Sequence, residues 1–246
     1  MELPKLLVSG KFKPEDLIVS VNPSNRHIDP SIEAQLENVW NEKVRKANEA
    51  GKVCYNGVSY RLNDIQEKDG KVFIDLGTFE YKVRDGLIAI PEYFNLSEEY
   101  YRKGCFTTAS IKTSDDLYLM VELSGKSMNE NSIDLVGGIM ETDTEMNIGA
   151  DVFTSFYKEL AEEVGVTQND INGIYLNSIY LEHRTNVGFY FEVVLKITYE
   201  ELVIRFSNNE DIDIKSIRAF SRDQYLETLS NHRSPNKPFI AKMLTI

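Results

Sequence analysis

The chain has 246 residues and a net charge of −12. This acidic balance excludes a general nucleic-acid binder, because phosphate backbones are bound by basic surfaces. A small polyanion remains a possible ligand if a metal ion supplies local positive charge. With only two cysteines, a disulfide framework is excluded and a reducing compartment is indicated.

The sequence contains no segment expected to direct it to a membrane. Residues 1–16 (MELPKLLVSGKFKPED) lack the apolar region of roughly 7–15 residues that a signal peptide needs. The apolar stretch GFYFEVVLKI at 188–197 is far shorter than the roughly 20 residues that span a bilayer. We therefore expect a cytoplasmic protein that has no membrane partner.

The first hundred residues predict a mixture of helices and strands. Asp29-Pro30 is a typical helix start and Gly51 a typical end, with apolar residues at helical spacing between them. The following residues predict two strands, at 57–62 and 71–77, joined by a turn-rich connection at 63–70. A short helical or irregular segment is expected at 91–104.

The rest of the chain predicts neighbouring strands with a few helices. Strands rich in aromatic and β-branched residues are expected at 105–113, 117–123, 172–183, 187–197 and 216–221. Helices are expected over 152–164 and from about 223, and residues 234–244 close the chain. Because strands often neighbour each other, we predict an α+β fold or a mixed-sheet α/β sandwich.

The stretch KELAEEVGV at 158–166 places three carboxylates on one helix. At roughly 100° per residue, Glu159, Glu162 and Glu163 fall within one sector of roughly 100°. The neighbouring sector is apolar and packs inward, so the acidic sector borders the core. Gly165 ends the helix, as a glycine after a helix commonly does.

Two interpretations of this acidic helix are open. It is either a solvated surface, with Lys158 and Glu162 as an ordinary i,i+4 pair, or one wall of a metal site. The apolar stretch LVGG at 135–138 favours the metal site, because a double glycine lets backbone carbonyls approach a ligand closely. Carbonyl and carboxylate oxygens are the ligands that Mg²⁺ prefers.

The pattern GG…KELAEEVGV resembles the Nudix box, Gly-x5-Glu-x7-Arg-Glu-U-x-Glu-Glu-x-Gly-U, in which U is aliphatic. The matching positions are Gly138, Glu159, Leu160, Glu162, Glu163, Gly165 and Val166. Lys158 stands in place of the arginine. Residues 139–157 make 19 positions against 13 in the pattern. Thr144 stands at the spacing where the pattern has its middle glutamate, with Glu141 and Glu145 nearby.

The chain is similar to the UDP-glucose/UDP-galactose diphosphatase branch of this family, which carries a lengthened box. The similarity also covers five further stretches, VNPSNR, VWNEKV, YRLND, FIDLGTFEYKVRDG and SPNKPFIA. It implies an N-terminal α+β subdomain at 1–103 and a Nudix α/β/α sandwich with a mixed sheet at 104–246. It also implies Mg²⁺- or Mn²⁺-dependent cleavage of a small-molecule nucleotide sugar to UMP and sugar 1-phosphate.

The resemblance implies the site residues as well. Glu159, Glu162 and Glu163 would hold the metal ions, with the Gly138 carbonyl as a further ligand and Lys158 in the place of the catalytic arginine. A later acidic loop would add a ligand or base, for which Glu210, Asp211 and Asp213 are candidates. The alternative is that this loop is simply solvated and contributes neither a ligand nor a base. Glu192 is a second candidate, with an edge position facing solvent as the alternative.

A uridine nucleotide needs an aromatic surface for its base and cationic groups for its phosphates. Arg26, Arg61 and Tyr81 lie in the stretches that match the branch, so we predict that they bind substrate. Their alternative is a purely structural role.

Three functional hypotheses follow from the sequence. The first is a UDP-sugar diphosphatase. The second is a Nudix hydrolase of another nucleoside diphosphate derivative, such as ADP-ribose or a dinucleoside polyphosphate. The third is a catalytically silent Nudix-fold binding module, which Lys158 favours and the three retained glutamates oppose. The sequence leaves the oligomeric state open.

Overall fold

The structure is a computed structural model that describes residues 4–22, 29–51, 54–124, 132–142, 151–183, 185–207 and 214–245. Among these residues, six α-helices and ten strands of one mixed sheet are present. None of the helices in these ranges is long and apolar enough to cross a membrane.

Seven of the strands form a continuous path in the order β1-β8-β9-β5-β3-β4-β2. Strand β6 joins the path through β5 and also pairs with β7 and β10, which lie on opposite sides of it because both pair with Val121 and Glu122. Two of the pairings are parallel, β2 with β4 and β5 with β9. The strands are β1 (Lys5–Phe12), β2 (Leu17–Val21), β3 (Val58–Lys68), β4 (Lys71–Glu80), β5 (Gly104–Lys112), β6 (Tyr118–Leu123), β7 (Ile133–Asp134), β8 (Ile171–Glu182), β9 (Asn186–Leu195) and β10 (Ile214–Phe220).

The helices begin where the sequence supplies capping groups. Asp29 accepts a hydrogen bond from the Ser31 amide at the start of α1, and Thr198 accepts one from the Glu201 amide at the start of α4. Such caps satisfy amides that have no partner within the helix. The helices are α1 (Pro30–Glu49), α2 (Tyr81–Ala89), α3 (Val152–Val164), α4 (Tyr199–Phe206), α5 (Arg222–Ser230) and α6 (Asn236–Met243).

The sheet is covered by helices on both faces. Successive side chains of a strand point to opposite faces, and β9 divides accordingly. Phe189 and Phe191 join a core cluster that includes the apolar side of α3, whereas Tyr190 joins a second cluster with residues of α5 and α6. The predicted mixed-sheet α/β sandwich is therefore confirmed.

A third apolar cluster joins the two N-terminal helices. Ile32 and Leu36 of α1 pack with Leu87 of α2 and with Tyr93 in the turn that follows. Gly86 permits this contact, because a Cβ at that position would lie 2.8 Å from a Leu36 methyl group. The pair α1–α2 thus forms a layer that faces the end of strand β5.

Most predicted elements are found within a few residues of their expected bounds. The predicted helix over 152–164 is α3. The segment 63–70 differs, because strand β3 continues to Lys68 and only Asp69 and Gly70 form the turn. Their positive φ angles of 53° and 74° allow a tight reversal between the two long strands.

The division predicted at residue 103 remains a prediction. The sheet runs across it, since Arg61 of β3 pairs with Gly104 of β5. Strand β1, from the predicted N-terminal subdomain, pairs with β8 from the predicted second domain.

The core contact between α3 and the sheet provides a test of the packing. The rings of Phe156 and Phe191 stack with centroids 4.4 Å apart, and both side chains are fully buried. We expect Phe156→Ala to lower the free energy of unfolding by about 3–5 kcal/mol, because it leaves a cavity in the main core. Urea titration followed by far-UV circular dichroism measures this.

Phe73→Ala is the matched control, because Phe73 lies on β4 with 39% of its surface exposed. We expect it to cost less than about 1 kcal/mol. Equal losses in the two variants would contradict this description of the core.

Candidate functional site

Helix α3 is fixed at both ends by its own sequence. The Asp151 carboxylate accepts a hydrogen bond from the Phe153 amide at 3.0 Å, and Gly165 takes the left-handed conformation with φ 69°. Phe153, Phe156 and Leu160 anchor the inner face in the core. The border between the buried and exposed faces of α3, where Glu159 and Glu163 are half-buried, therefore has a defined position above the sheet.

Two of the predicted glutamates meet the double glycine on that border. Glu163 Oε2 accepts a hydrogen bond from the Gly137 amide at 2.9 Å. A Cβ placed on Gly138 would lie 2.4 Å from the carboxyl carbon of Glu159. The structure thus brings Glu159, Glu163 and Gly138 together, as the sequence predicts.

The double glycine is held against strand β5. The Gly138 carbonyl accepts a hydrogen bond from the Thr107 amide at 2.8 Å. Gly137 has a φ of 148°, and a Cβ there would lie 2.1 Å from the Thr107 carbonyl oxygen. Only glycine fits at position 137, so the close approach of backbone and carboxylates depends on it.

Lys158 and Glu162 lie on the outer side of α3. Their charged atoms are 3.8 Å apart, with 60% and 56% of the side chains exposed. Glu141, just beyond the double glycine, faces them. Partial burial and the Glu162 carboxylate raise the pKa of Glu141, while the Lys158 ammonium opposes the shift. Glu141 therefore brings another carboxylate to this end of the helix.

The donor groups at the double glycine suit a hard divalent cation. Glu159 and Glu163 supply carboxylate oxygens, and the Gly138 carbonyl keeps a second lone pair after its bond to Thr107. Within the described ranges, no three His, Cys, Asp or Glu side chains are clustered closely enough to hold a metal ion by themselves. Such a set fits Mg²⁺ that keeps several water or substrate ligands. The assignment of Glu159, Glu162, Glu163 and the Gly138 carbonyl as metal ligands stays a prediction.

A cleft of about 970 Å³ opens beside the double glycine. Its walls are α1 and α2 on one side and the start of α6 on the other, with Gly104 to Thr108 of β5 and Gly137 to Ile139 between them. Its size lies within the range of small-molecule sites, roughly 300–1,000 Å³. The backbone of Gly137 and Gly138 thus lines the cleft and also contacts the carboxylates of α3.

The far wall of the cleft contains residues of the stretch SPNKPFIA. Lys237 is buried and forms an ion pair of 2.5 Å with Asp134. Ser234 Oγ donates to Asn236 Oδ1 at 2.5 Å beside it. These polar groups are positioned by one another, which keeps their geometry fixed.

The predicted nucleotide-binding residues lie in different places. Arg61 is buried in β3, where its guanidinium donates to Asn63 Oδ1 and to the Tyr101 carbonyl. Burial lowers the pKa of Arg61. Tyr81 begins α2 and lies under the Arg84 guanidinium, 3.9 Å from it. Neither Arg61 nor Tyr81 is among the described residues that line the cleft, and their role in binding stays a prediction.

The remaining candidates divide into two groups. Glu192 is half-buried on β9 and accepts a hydrogen bond from Asn177 Nδ2 at 2.8 Å. The other candidates lie outside the described residues, namely Arg26, Glu210, Asp211 and Asp213, as do Thr144 and Glu145.

Sequence reasoning missed the two arginines that line the cleft, Arg84 and Arg102. Arg84 lies within the stretch FIDLGTFEYKVRDG and Arg102 within the irregular segment 91–104. The available signal was the contrast with the acidic balance of the chain. Cationic residues that gather in a cleft stand out in a chain of net charge −12.

No family model matches the chain, and no curated protein matches it. Solved structures resemble parts of it. The protein DR0079 from Deinococcus radiodurans is 14% identical, with a TM-score of 0.43 over 57% of this chain and 82% of that one. A NUDIX hydrolase from Nitrosomonas europaea is 19% identical, with a TM-score of 0.36 over 58% and 88%. The NUDIX domain of Shewanella oneidensis NrtR, complexed with ADP ribose, is 11% identical, with a TM-score of 0.38 over 58% and 86%.

The close contact at Gly137 gives a direct prediction. We expect Gly137→Ala to lower the free energy of unfolding by about 1–3 kcal/mol from the strained φ alone, with more lost because the Cβ meets the Thr107 carbonyl. Thermal unfolding followed by circular dichroism measures the change.

Gly173→Ala serves as the matched control on strand β8. Its added Cβ would meet nothing nearer than 3.8 Å. If Gly137→Ala were as stable as Gly173→Ala, the close approach of β5 to the double glycine would not exist.

Proposed function

We propose that this chain is a Nudix hydrolase that cleaves the pyrophosphate of a nucleoside diphosphate sugar. The observation that carries this proposal is the contact of Glu159 and Glu163 with the double glycine, at the edge of the large cleft. The preferred substrate is UDP-glucose or UDP-galactose, on the resemblance of the stretches that include YRLND and SPNKPFIA.

The metal site would be formed by oxygen ligands from two elements. Glu159 and Glu163 of α3 would hold Mg²⁺ or Mn²⁺ with the Gly138 carbonyl, and Glu162 is the third predicted glutamate ligand. When bound, such an ion activates water and neutralises charge on the phosphate oxygens. The three groups are held by helix packing and by the β5 contact, so little reorganisation is needed.

The cleft residues would position the substrate and exclude bulk water. The pyrophosphate would lie beside Gly137 and Gly138, where the backbone has no side chains to block it. Lys237 with Asp134 would border the opposite end, where polar groups held in fixed positions can bind hydroxyls of ribose or sugar.

Lys158 contributes differently from the arginine of the box. A lysine is a flexible point charge, whereas an arginine presents a planar fork to a carboxylate. Here Lys158 is exposed and pairs with Glu162. Its position supports a role in the electrostatics of Glu141 and Glu162, and a working enzyme of modest rate is the expected result.

Two alternatives make different predictions for the same site. A hydrolase of ADP-ribose or a dinucleoside polyphosphate would use the same metal ligands but prefer an adenine substrate. A silent binding module would bind a nucleotide without turning it over. Assays of turnover and of base preference separate the three.

The first prediction concerns the glutamate that contacts Gly137. Glu163→Gln keeps an oxygen that accepts the Gly137 amide, so the fold should be retained. It loses the negative charge needed by the metal, and we expect turnover to fall at least about a thousandfold, which is roughly 4 kcal/mol of transition-state stabilisation. Release of monophosphate with Mg²⁺ measures this, and chelation of the metal should abolish activity in the wild type.

Glu227→Gln is the matched control, because Glu227 is an exposed residue of α5. Wild-type rates in Glu163→Gln with every substrate would rule out the proposed metal site.

The second prediction concerns the substrate. In a panel of nucleotide sugars with Mg²⁺, we expect UDP-glucose or UDP-galactose to have a higher kcat/KM than ADP-ribose. A tenfold or greater preference for an adenine substrate would replace the first hypothesis by the second. Binding of nucleotides without any product would favour the silent module.

A further inference from the structure

Two arginines from different elements meet at one end of the cleft, on its α2 side. Arg84 comes from α2 and Arg102 from the segment before β5, and both line the cleft. Their meeting point is Gly104. A Cβ there would lie 3.8 Å from Arg84 Cδ and 3.5 Å from Asn186 Oδ1, which is the acceptor for Arg102 Nη2.

Neighbouring side chains hold both guanidinium groups in place. These contacts use only part of the hydrogen-bonding capacity of each guanidinium group. Arg84 Nε donates to Asp85 Oδ1 at 2.8 Å, and its guanidinium lies over the Tyr81 ring. The Arg102 guanidinium donates through Nη2 to Asn186. An arginine has five donors in a fixed fork, so both side chains are oriented and keep donors for another partner.

Some of these donors are buried without a partner. Arg84 Nη1 and Arg102 Nε are inaccessible to solvent and have no hydrogen-bond acceptor among the described residues. The Arg84 side chain is only 12% exposed. A buried charged donor without an acceptor is costly, and an acceptor supplied by a ligand would offset this cost.

The charges that line the cleft differ from the acidic balance of the whole chain. Of the described residues that line the cleft, five are cationic and four anionic, although the whole chain carries −12. The lining charges are Lys43, Lys46, Arg84, Arg102 and Lys237 against Glu42, Asp85, Asp134 and Glu182. Burial lowers the pKa of Arg102, and the neighbouring Arg84 lowers it further, while Asp85 and Glu182 oppose this.

We propose that Arg84 and Arg102 form an oxyanion subsite that binds a phosphate group of the substrate through guanidinium donors that make no hydrogen bond within the described part of the chain. A tetrahedral phosphate presents several acceptor oxygens, which matches donors that converge from two guanidinium groups. The identity of the phosphate as part of a nucleotide sugar rests on the proposed function, whereas the subsite itself rests on the geometry of the two arginines.

This subsite is separate from the double glycine that contacts the carboxylates of α3. Gly104 precedes Thr107, the partner of Gly138, by three residues of strand β5, which is roughly 10 Å. The pyrophosphate would thus be held from two ends, by metal ligands at the double glycine and by guanidinium groups at the start of β5.

Binding of inorganic pyrophosphate to the full chain, measured by calorimetry in EDTA, tests this subsite without metal or turnover. We expect saturable binding that weakens at least tenfold in Arg84→Lys and in Arg102→Lys, because lysine keeps the charge but lacks the fork. Arg222→Lys is the matched control, since Arg222 is exposed on α5. No binding to the wild type, or binding within twofold in both folded lysine variants, would overturn the proposal.

A second measurement on the wild type covers the case in which a variant fails to fold. Modification by phenylglyoxal, followed by mass spectrometry, should slow at least fivefold at Arg84 and Arg102 when pyrophosphate is present, and remain unchanged at Arg222. Equal rates with and without pyrophosphate at both arginines would overturn the subsite.

Further probes identify the source of the phosphate and separate the two proposals. Protection by UDP-glucose but not by uridine supports a phosphate of the substrate, whereas protection by inorganic phosphate alone would overturn that assignment.

Glu163→Gln should bind pyrophosphate in EDTA as the wild type does. Pyrophosphate binding without hydrolysis of any nucleotide sugar would reject the proposed function and leave the subsite intact. Hydrolysis of a nucleotide sugar without pyrophosphate binding would reject the subsite and leave the proposed function intact.

Discussion

The hydrogen bond from the Gly137 amide to the Glu163 carboxylate fixes how helix and sheet meet at the candidate site. It forms only because Gly137 lies against the Thr107 carbonyl without a Cβ, and because Gly138 leaves room for Glu159. The apolar face of α3 supplies the energy of this contact through burial, and the carboxylates are carried to the glycines as a consequence. A site of this kind depends on backbone shape as much as on acidic side chains.

The charges of the molecule are divided between two regions, the carboxylates of α3 and the cations of the cleft. The chain carries a net charge of −12, so a polyanionic ligand is repelled except where the chain concentrates cations. The carboxylates of α3 and the cations of the cleft lie on different sides of the same glycine backbone. Under the proposed function, metal and phosphate groups of opposite charge would meet at the glycines, each stabilised by its own set of side chains.

The sequence predicted those parts of the fold that depend on local pattern. Helix α3 was predictable from its apolar spacing and Gly165, and β8 and β9 from their aromatic and β-branched residues. Helix α4 was not predicted, because its eight residues are too few for a clear periodic pattern.

The site shows the same limit. The proximity of Glu159 and Glu163 to the double glycine could be inferred because one spacing pattern contains all of them. The meeting of Arg84 and Arg102 could not, because it depends on how α2 packs beside β5 and on Asn186 of β9. Pairings between residues far apart in sequence leave no local pattern to read.

Strands β1 and β2 lie at opposite ends of the seven-strand path, yet they are consecutive in the chain. The connection from Phe12 to Leu17 spans at most roughly 18 Å when fully extended, so the path must roll until its two ends come close together. A rolled sheet of this kind resists shearing, because sliding one edge would pull on the short connection to the other. Residues 104–108 of β5 line the cleft, so this part of its wall belongs to the rolled sheet.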